Sequence, residues 1–316
     1  MRKISVAVAT YNRAHIVPET LRYILDQTYP PAEIVVVDDG SSDGTREAVT
    51  SIDNRIVYKR IENSGPGIAL KTAIEATSNE WVALCDDDDK WRPNHLERRM
   101  MLLDRFAGAD YSFSNFTSFG PDAHENFDQF ASMPPDWWVD FSPIDSDGFQ
   151  WLGGNLFPKF LAKNPVFPTS VCFSRKLYDA CGGIDPKFSR LGCWDAHFTW
   201  RCVLAGQVAC DRHITVETRK HGGNFSKKRS RVMLERALML NTAWEDGWIP
   251  RDYNEVVSQA ALASKIEALG WAWREADYVA MRSLWQELQS TQVPHDLKLR
   301  AMLAHLPVWA LNLIRG

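Results

Sequence analysis

The first hundred residues alternate between two kinds of segment, and that alternation constrains the fold more than any other feature of the chain. Short apolar runs at 4–9, 33–38 and 81–85 read as strands, and 55–61 as a further strand between them. Between them, apolar residues at helical spacing predict helices over 14–27, 45–51, 67–76 and 93–105. Strands alternating with helices imply an α/β fold, with a mostly parallel central sheet and helices on both faces. In such sheets ligands bind outside the carboxyl ends of the strands. Two acidic clusters, Asp38-Asp39 and the run from Asp86 to Asp89, directly follow strands, so both fall on that edge.

Four consecutive aspartates repel one another and raise one another's affinity for protons. A divalent cation is the natural counter-charge, and carboxylate oxygens suit Mg²⁺ or Mn²⁺. In extended chain Asp86 and Asp88 point one way, Asp87 and Asp89 the other. The run could equally be a solvated loop in which Asp89 or Asn94 caps the next helix. Asp38-Asp39, followed by GSSDG at 40–44, could be a plain turn. At a strand end, it could instead accept hydrogen bonds from a ribose or a base N–H. The glycine fingerprint of dinucleotide-binding folds and the Walker phosphate loop are both absent from the sequence.

Beyond residue 105 the chain changes character. Residues 106–158 contain no Lys or Arg, eight acidic residues and 13 aromatics, a composition that predicts long loops with short strands. A strand-like pattern returns over 166–174 and a helical one over 191–206. Residues 212–236 are the opposite, with eight Lys or Arg and two acidic residues. From about residue 231 the pattern is helical. The net charge of −4 is therefore a sum of segregated parts. It gives no reason to expect a nucleic-acid partner. Six cysteines without a C-x-x-C pair read as free thiols in a reducing, cytoplasmic setting. The N-terminus reads as lacking a signal-peptide core, and no run reaches the ~20 apolar residues of a spanning helix. The tail at 295–316, apolar with interspersed Lys and Arg, could dock as a core helix or rest on a membrane surface.

Five motifs in the first hundred residues resemble the family 2 glycosyltransferases with the GT-A fold. They are VATYNR at 8–13, QTYP at 27–30, VVVDDGSSDGT at 35–45, NSGPGIA at 63–69 and CDDDDKWRP at 85–93. Later, GGID at 182–185 and CWDAHFTWR at 193–201 resemble that family's turn and base-bearing helix. RKHGGNFS at 219–226 is similar to its late His segment. The usual acidic pair at the helix start is reduced here to Asp195, preceded by Trp194.

The resemblance implies a metal-dependent inverting transferase. It would move a sugar from a nucleotide diphosphate sugar, a UDP-sugar by family habit, to a hydroxyl of a glycan or lipid-linked glycan. It implies that Thr10, Tyr11, Arg13, Asp38, Asp39, Lys71, Asp86 and Asp87 line the donor site. Asp88 and Asp86, with His221, would hold Mn²⁺ or Mg²⁺, and Asp195 would be the catalytic base. Lys71 stands where the family often has Arg, which keeps the charge but loses the planar fork. Trp137, Trp138, Trp151 and Trp194 lie in the region expected to meet the acceptor, where aromatic faces can stack on sugar rings. The expected organisation is a donor half at 1–105, an acceptor and base half at 106–230, and a helical C-terminal extension at 231–316. The expected setting is cytoplasmic, with peripheral contact at the inner membrane face through the C-terminal helices left open. Two other readings of the same residues are a sugar-1-phosphate nucleotidyltransferase and a catalytically inactive carbohydrate-binding domain.

Overall fold

The computed structural model describes residues 2–223, 227–307 and Leu311. The chain divides into two compact units, 1–190 with 194–222, and 191–193 with 223–316.

In the first unit the described strands are β1 (Ile4–Thr10), β2 (Glu33–Asp38), β3 (Ile56–Arg60), β4 (Trp81–Leu84), β5 (Lys90–Trp91), β6 (Tyr111–Phe119), β7 (Phe149–Leu152), β8 (Val171–Ser174) and β9 (Val208–Arg219). They form one sheet in the order β3-β2-β1-β4-β8-β6-β9-β5, with β7 also paired to β9. β1 to β4, β6 and β9 run one way, and β5, β7 and β8 run against them. The helices of this unit are α1 (Val17–Leu25), α2 (Thr45–Thr50), α3 (Pro66–Ala76), α4 (His95–Arg105), α5 (Phe157–Ala162), α6 (Arg175–Ala180) and α7 (Trp194–Ala205).

The strand period of two distributes the core. Ile4, Val6 and Val8 of β1, with Ile34 and Val36 of β2, join one cluster with Val17, Leu21 and Ile24 of α1 and Leu96, Leu102 and Leu103 of α4. Their neighbours Ala7, Val35 and Val37 turn to the opposite face, where Ala69, Leu70, Ala73 and Ile74 of α3 are buried. Each such aliphatic side chain contributes roughly 1.5–3 kcal/mol by leaving water.

Two long strands were not expected. β6 spans nine residues of the segment read as loops with short strands, and β9 spans twelve residues starting just after α7. Both hide from a hydropathy reading because they bury polar groups in pairs. In β6, Ser112 Oγ donates to the Cys172 carbonyl, and Ser114 Oγ accepts from Thr215 Oγ1. In β9, Asp211 is fully buried, and Arg98 and Arg99 of α4 both donate to its carboxylate. β9 also carries two more residues than β6 between Asp211 and Ile214, a bulge at Arg212 and His213.

The second unit holds α8 (Arg229–Glu245), α9 (Asn254–Arg274), α10 (Tyr278–Leu288) and α11 (His295–Leu303). Its core gathers Leu269, Ala272, Met281, Leu284, Leu288 and Ala301. Of the tail, Leu297 packs against this cluster, while Leu299 and Met302 of α11 are exposed. Trp309, Ile314 and Arg315 lie outside the described residues, as do residues 224–226 of the late His segment. Among the described residues no helix is long and apolar enough to cross a membrane.

Candidate active site

β1, β2 and β4 run parallel, so Thr10, Asp38 and the acidic run leave the sheet at one edge. The loops there are laced together. Asn12 adopts a left-handed conformation (φ 52°), which lets its side-chain oxygen accept the Ser42 N–H and its own N–H reach Ser41 Oγ. The Arg13 N–H donates to Thr45 Oγ1, and the Asp39 N–H donates to the Thr10 carbonyl. Tyr11 stands out from this platform, 48% exposed.

Asp38 and Asp39 are buried and bonded. Asp38 accepts from the Ser41 N–H (2.7 Å) and the Tyr58 hydroxyl (2.5 Å). Asp39 accepts the Ser64 N–H (2.7 Å) with one oxygen and the Gly65 N–H (2.9 Å) with the other. Each oxygen keeps a second lone pair for a ligand. The turn that Asp39 holds is in turn met by residues 186–190. Ser189 Oγ accepts the Ile68 N–H (2.7 Å) and donates to the Ser64 carbonyl (3.2 Å), while Arg190 donates to Asn63. Gly65 and Gly67 permit this approach: a Cβ on Gly67 would lie 2.8 Å from Ser189 Cα. The segment leading into α7 is thus fixed against the donor-side loops.

The acidic run is built from outside itself. Thr169, fully buried, accepts the Asp86 N–H with its hydroxyl (3.1 Å) and donates that hydroxyl to Asp89 (2.5 Å). Arg219, the last residue of β9, donates its backbone N–H to the other Asp89 oxygen and its Nε to the Asp88 carbonyl. The Thr20 hydroxyl of α1 lies within hydrogen-bond distance of the Asp87 and Asp89 carbonyls. Thr10 Oγ1 donates to Asp87 at 2.6 Å. Asp89 therefore serves the loop, and Asp88 faces the His221 imidazole, with Nε2 at 3.0 Å, and the Arg13 guanidinium at 3.7 Å.

Charge is crowded here. Burial, and then the other aspartates, push Asp86 well above the usual carboxylate range. Burial with Asp88 alongside pushes Asp87 up to about 6 and Asp89 to about 7. Asp195, in the first turn of α7, is pushed up to about 6 by burial. Its charge adds, after those of Asp89, Asp88 and Asp87, to what raises Asp86. No side-chain hydrogen bond or ion pair engages Asp195 among the described residues. Arg201, further along α7, instead donates to the Gly182 and Gly183 carbonyls.

The sequence of this edge points to a family. Residues 5–152, a little under half of the chain, match the profile described as Glycosyl transferase family 2. In that part the chain is similar to family 2 glycosyltransferases. The protein named teichuronic acid biosynthesis glycosyltransferase TuaG in Bacillus subtilis is 35% identical over 136 residues, covering 42% of this chain and 53% of TuaG. Glycosyltransferase GlyA of Streptococcus pneumoniae is 34% identical over 120 residues, 37% of this chain and 17% of GlyA. The chain spans about half or less of the length of these curated relatives. Among solved structures, S. aureus TarS 1-349 in complex with UDP-GlcNAc superimposes with TM-score 0.56 at 16% identity, over 96% of this chain and 89% of that one. The mannosyltransferase PcManGT of Pyrobaculum calidifontis, in complex with GDP-Man and Mn²⁺, gives TM-score 0.55 at 19% identity, over 98% and 83%. These likenesses establish the GT-A fold.

The structure brings Thr10, Tyr11, Arg13, Asp38, Asp39, the acidic run and His221 to one edge, while Asp195 lies in the first turn of α7 with no side-chain hydrogen bond or ion pair to them among the described residues. Lys71 is ion-paired with Glu75, one turn along α3. The expected tryptophans scatter. Trp137 is buried and donates to the Lys159 and Lys163 carbonyls, so it is a packing residue. Trp138 lies under Arg212 (3.7 Å to the ring centre). Trp151 pairs with Ala209 at the start of β9, the end of that strand opposite Arg219. Trp194 sits beside Asp195. Thr169, Thr20 and Ser189 were not anticipated, and no motif marks them. Arg219 lay in the basic stretch and at the start of the late His segment, the two signals for it.

The donor set suits a hard or borderline cation: Asp86 and Asp88 offer carboxylate oxygens and His221 an imidazole, a mixture compatible with Mn²⁺ as well as Mg²⁺. Among the described residues no three such side chains already converge as a closed cage.

Proposed function

We propose that this chain is a glycosyltransferase that moves a sugar from a nucleotide diphosphate sugar to an acceptor hydroxyl with inversion at the anomeric carbon. The observation that carries the reading is Asp195: a carboxylate in the first turn of α7, with no side-chain hydrogen bond or ion pair among the described residues, and raised to about 6 by burial. A general base needs such a poised pKa. Asp195 takes the acceptor proton as the hydroxyl oxygen attacks the anomeric carbon. The bond to the diphosphate breaks on the opposite face, and the nucleoside diphosphate departs. Asp39, with Asp38 behind it, receives the base, and Tyr11 and Thr10 border the nucleoside. Arg13 lies beside Asp88, where a diphosphate would need positive charge. Lys71 would have to leave Glu75 to join it. Asp86 and Asp88, with His221, would hold Mn²⁺ or Mg²⁺, which would supply positive charge to the departing diphosphate.

The donor is a UDP-sugar in this reading, supported by the fold neighbour's UDP-GlcNAc complex, with a GDP-sugar as the competitor that the mannosyltransferase neighbour raises. The acceptor is a hydroxyl of a glycan or lipid-linked glycan. Trp194, next to the base, is the aromatic best placed to stack on it. Residues 1–105 form the donor half, 106–230 the acceptor and base half, and 231–316 an extension. The setting is cytoplasmic, and the exposed Leu299 and Met302 of α11 support a peripheral membrane contact. The test is a panel of UDP-, GDP- and dTDP-sugars, with and without Mn²⁺, read by thermal shift and by donor hydrolysis. A UDP-sugar should stabilise the protein only with the cation. Asp195→Asn should keep that stabilisation while losing turnover. Absence of any nucleotide-dependent shift would sink the reading.

A further inference from the structure

Six cysteines are free, and none has a role in the proposed reaction. Two of them are in contact: Cys181 Sγ and Cys202 Sγ lie 4.0 Å apart. Cys181 follows the last residue of α6, as its C-cap, and is half-buried. Cys202 is on α7 and fully buried. The other four, Cys85, Cys172, Cys193 and Cys210, are buried.

We propose that Cys181 and Cys202 are an oxidative modification site, closing to a reversible intramolecular disulfide in the presence of a peroxide. Three features of the site support it. The first is access, because oxidant reaches the half-buried sulfur while its partner waits behind it. The second is chemistry. The Cys202 thiol as hydrogen-bond donor, with the Gly183 N–H and Arg201 nearby, holds Cys181 below the ordinary thiol range, whereas burial pushes Cys202 well above it. That is the asymmetry of an attacking sulfur and a resolving one. The third is give. A disulfide brings sulfurs to about 2.05 Å, so the pair must close by roughly 2 Å. Cys181 caps α6 beyond its last turn, so rotation of its side chain can supply this without unwinding α7.

The step balances as follows. The Cys181 thiolate attacks one oxygen of hydrogen peroxide, the O–O bond breaks, and the departing hydroxide takes a proton to leave as water. Cys181 is then a sulfenic acid. The Cys202 sulfur displaces that hydroxyl, the S–O bond breaks as the S–S bond forms, and the proton from Cys202 completes the second water. Two thiols lose two electrons together, and the peroxide gains them.

The test uses the full chain, reduced, then exposed to hydrogen peroxide, alkylated, digested and analysed by mass. A peptide pair joined through Cys181 and Cys202, lighter by two hydrogens and separated again by dithiothreitol, is the expected result. Both residues should lose alkylation together, while Cys172 and Cys210 do not change. In Cys202→Ser, Cys181 should instead accumulate as a dimedone-reactive sulfenic acid. If that variant does not fold, the wild-type peptide map decides alone. Cys181 found over-oxidised or still alkylatable, with no joined peptide, would overturn the proposal. This inference is independent of the donor and acceptor assignments, so it survives or fails apart from them.

Discussion

Asp195 carries two separable predictions, because its position and its proton affinity are both abnormal for an aspartate. Its carboxyl is raised to about 6 by burial, and a base works only when deprotonated. Turnover should therefore fall about tenfold for each pH unit below roughly 6, following one proton, while donor binding falls less steeply. Asp195→Asn should lower kcat by roughly 10²–10⁴-fold and leave the donor Kd nearly unchanged. A pH–rate profile of donor hydrolysis, paired with a titration of donor binding, separates the two. Thr169 predicts differently, since it acts through the acidic run. Thr169→Val deprives Asp89 of a donor and the Asp86 N–H of its acceptor, leaving buried groups unpaired at a cost of about 1–3 kcal/mol. Both Tm and cation affinity should drop, and Thr169→Ser should restore both. Restored Tm without restored cation affinity would refute a role in positioning the run. Thr169 also marks where reading the sequence stops. A Thr in a Pro-Thr-Ser turn looks like any other, and only the fold brings it to residues eighty positions earlier.

At the scale of elements, the junction between the residue 63–68 turn and residues 186–190 fixes how α7 approaches the donor edge. It depends on missing side chains. A Cβ at Gly67 would sit 2.8 Å from Ser189 Cα, and backbone cannot yield as a flexible side chain can. Gly67→Ala should cost about 1–3 kcal/mol as overpacking, seen as a lower denaturation midpoint. It should also reduce turnover beyond the loss of folded protein. The motif around Gly67 was legible, but the partner that makes the glycine necessary was not. The same contrast runs through the sheet. β1, β2 and β4 were readable because each is centred on a continuous apolar run, and β3 because Ile56-Val-Tyr58 stands in its place in the alternation. β6 and β9 were not, although they are the longest strands. β6 alternates aromatics with serines, which resemble loop residues until their hydroxyls are paired. β9 buries Asp211 against two arginines, and a charge in the middle of a run argues against a buried strand unless its partners are known. Their end point matters most. Arg219 closes β9 and meets the acidic run, so the strand the sequence hides delivers a residue of the site.

For the whole molecule, the net charge of −4 matters less than where buried groups hold or refuse protons. Asp86, Asp87, Asp89 and Asp195 have raised proton affinity in the folded state. Folded protein then binds more protons than unfolded protein between about pH 4 and 7, so this contribution to stability is present at low pH and lost as pH rises through 6 to 7. Burial has the opposite effect on two histidines: His95 is held well below its ordinary value, and His197 is lowered to about 3. Unfolded histidine takes up protons below about 6.5 that the folded forms refuse, so their contribution is lost as pH falls. Without a cation the four aspartates outweigh the two histidines, so Tm should fall as pH rises from 5 to 7. A divalent cation competes with protons for the acidic run and removes that part of the first effect, leaving Asp195 and the histidines. The Tm gained from Mn²⁺ should therefore grow steadily from pH 5 to pH 8. With saturating Mn²⁺, the proton that Asp195 keeps offsets one of the two histidine protons, so stability should fall on acidification with a slope approaching that of one proton, about 1.4 kcal/mol per pH unit. Thermal melts across pH, with Mn²⁺ and with chelator, measure both curves. A Mn²⁺ shift of the same size at pH 5 and pH 8 would show that the cation does not share these carboxylates with protons, and the acidic run would lose its place as the cation site.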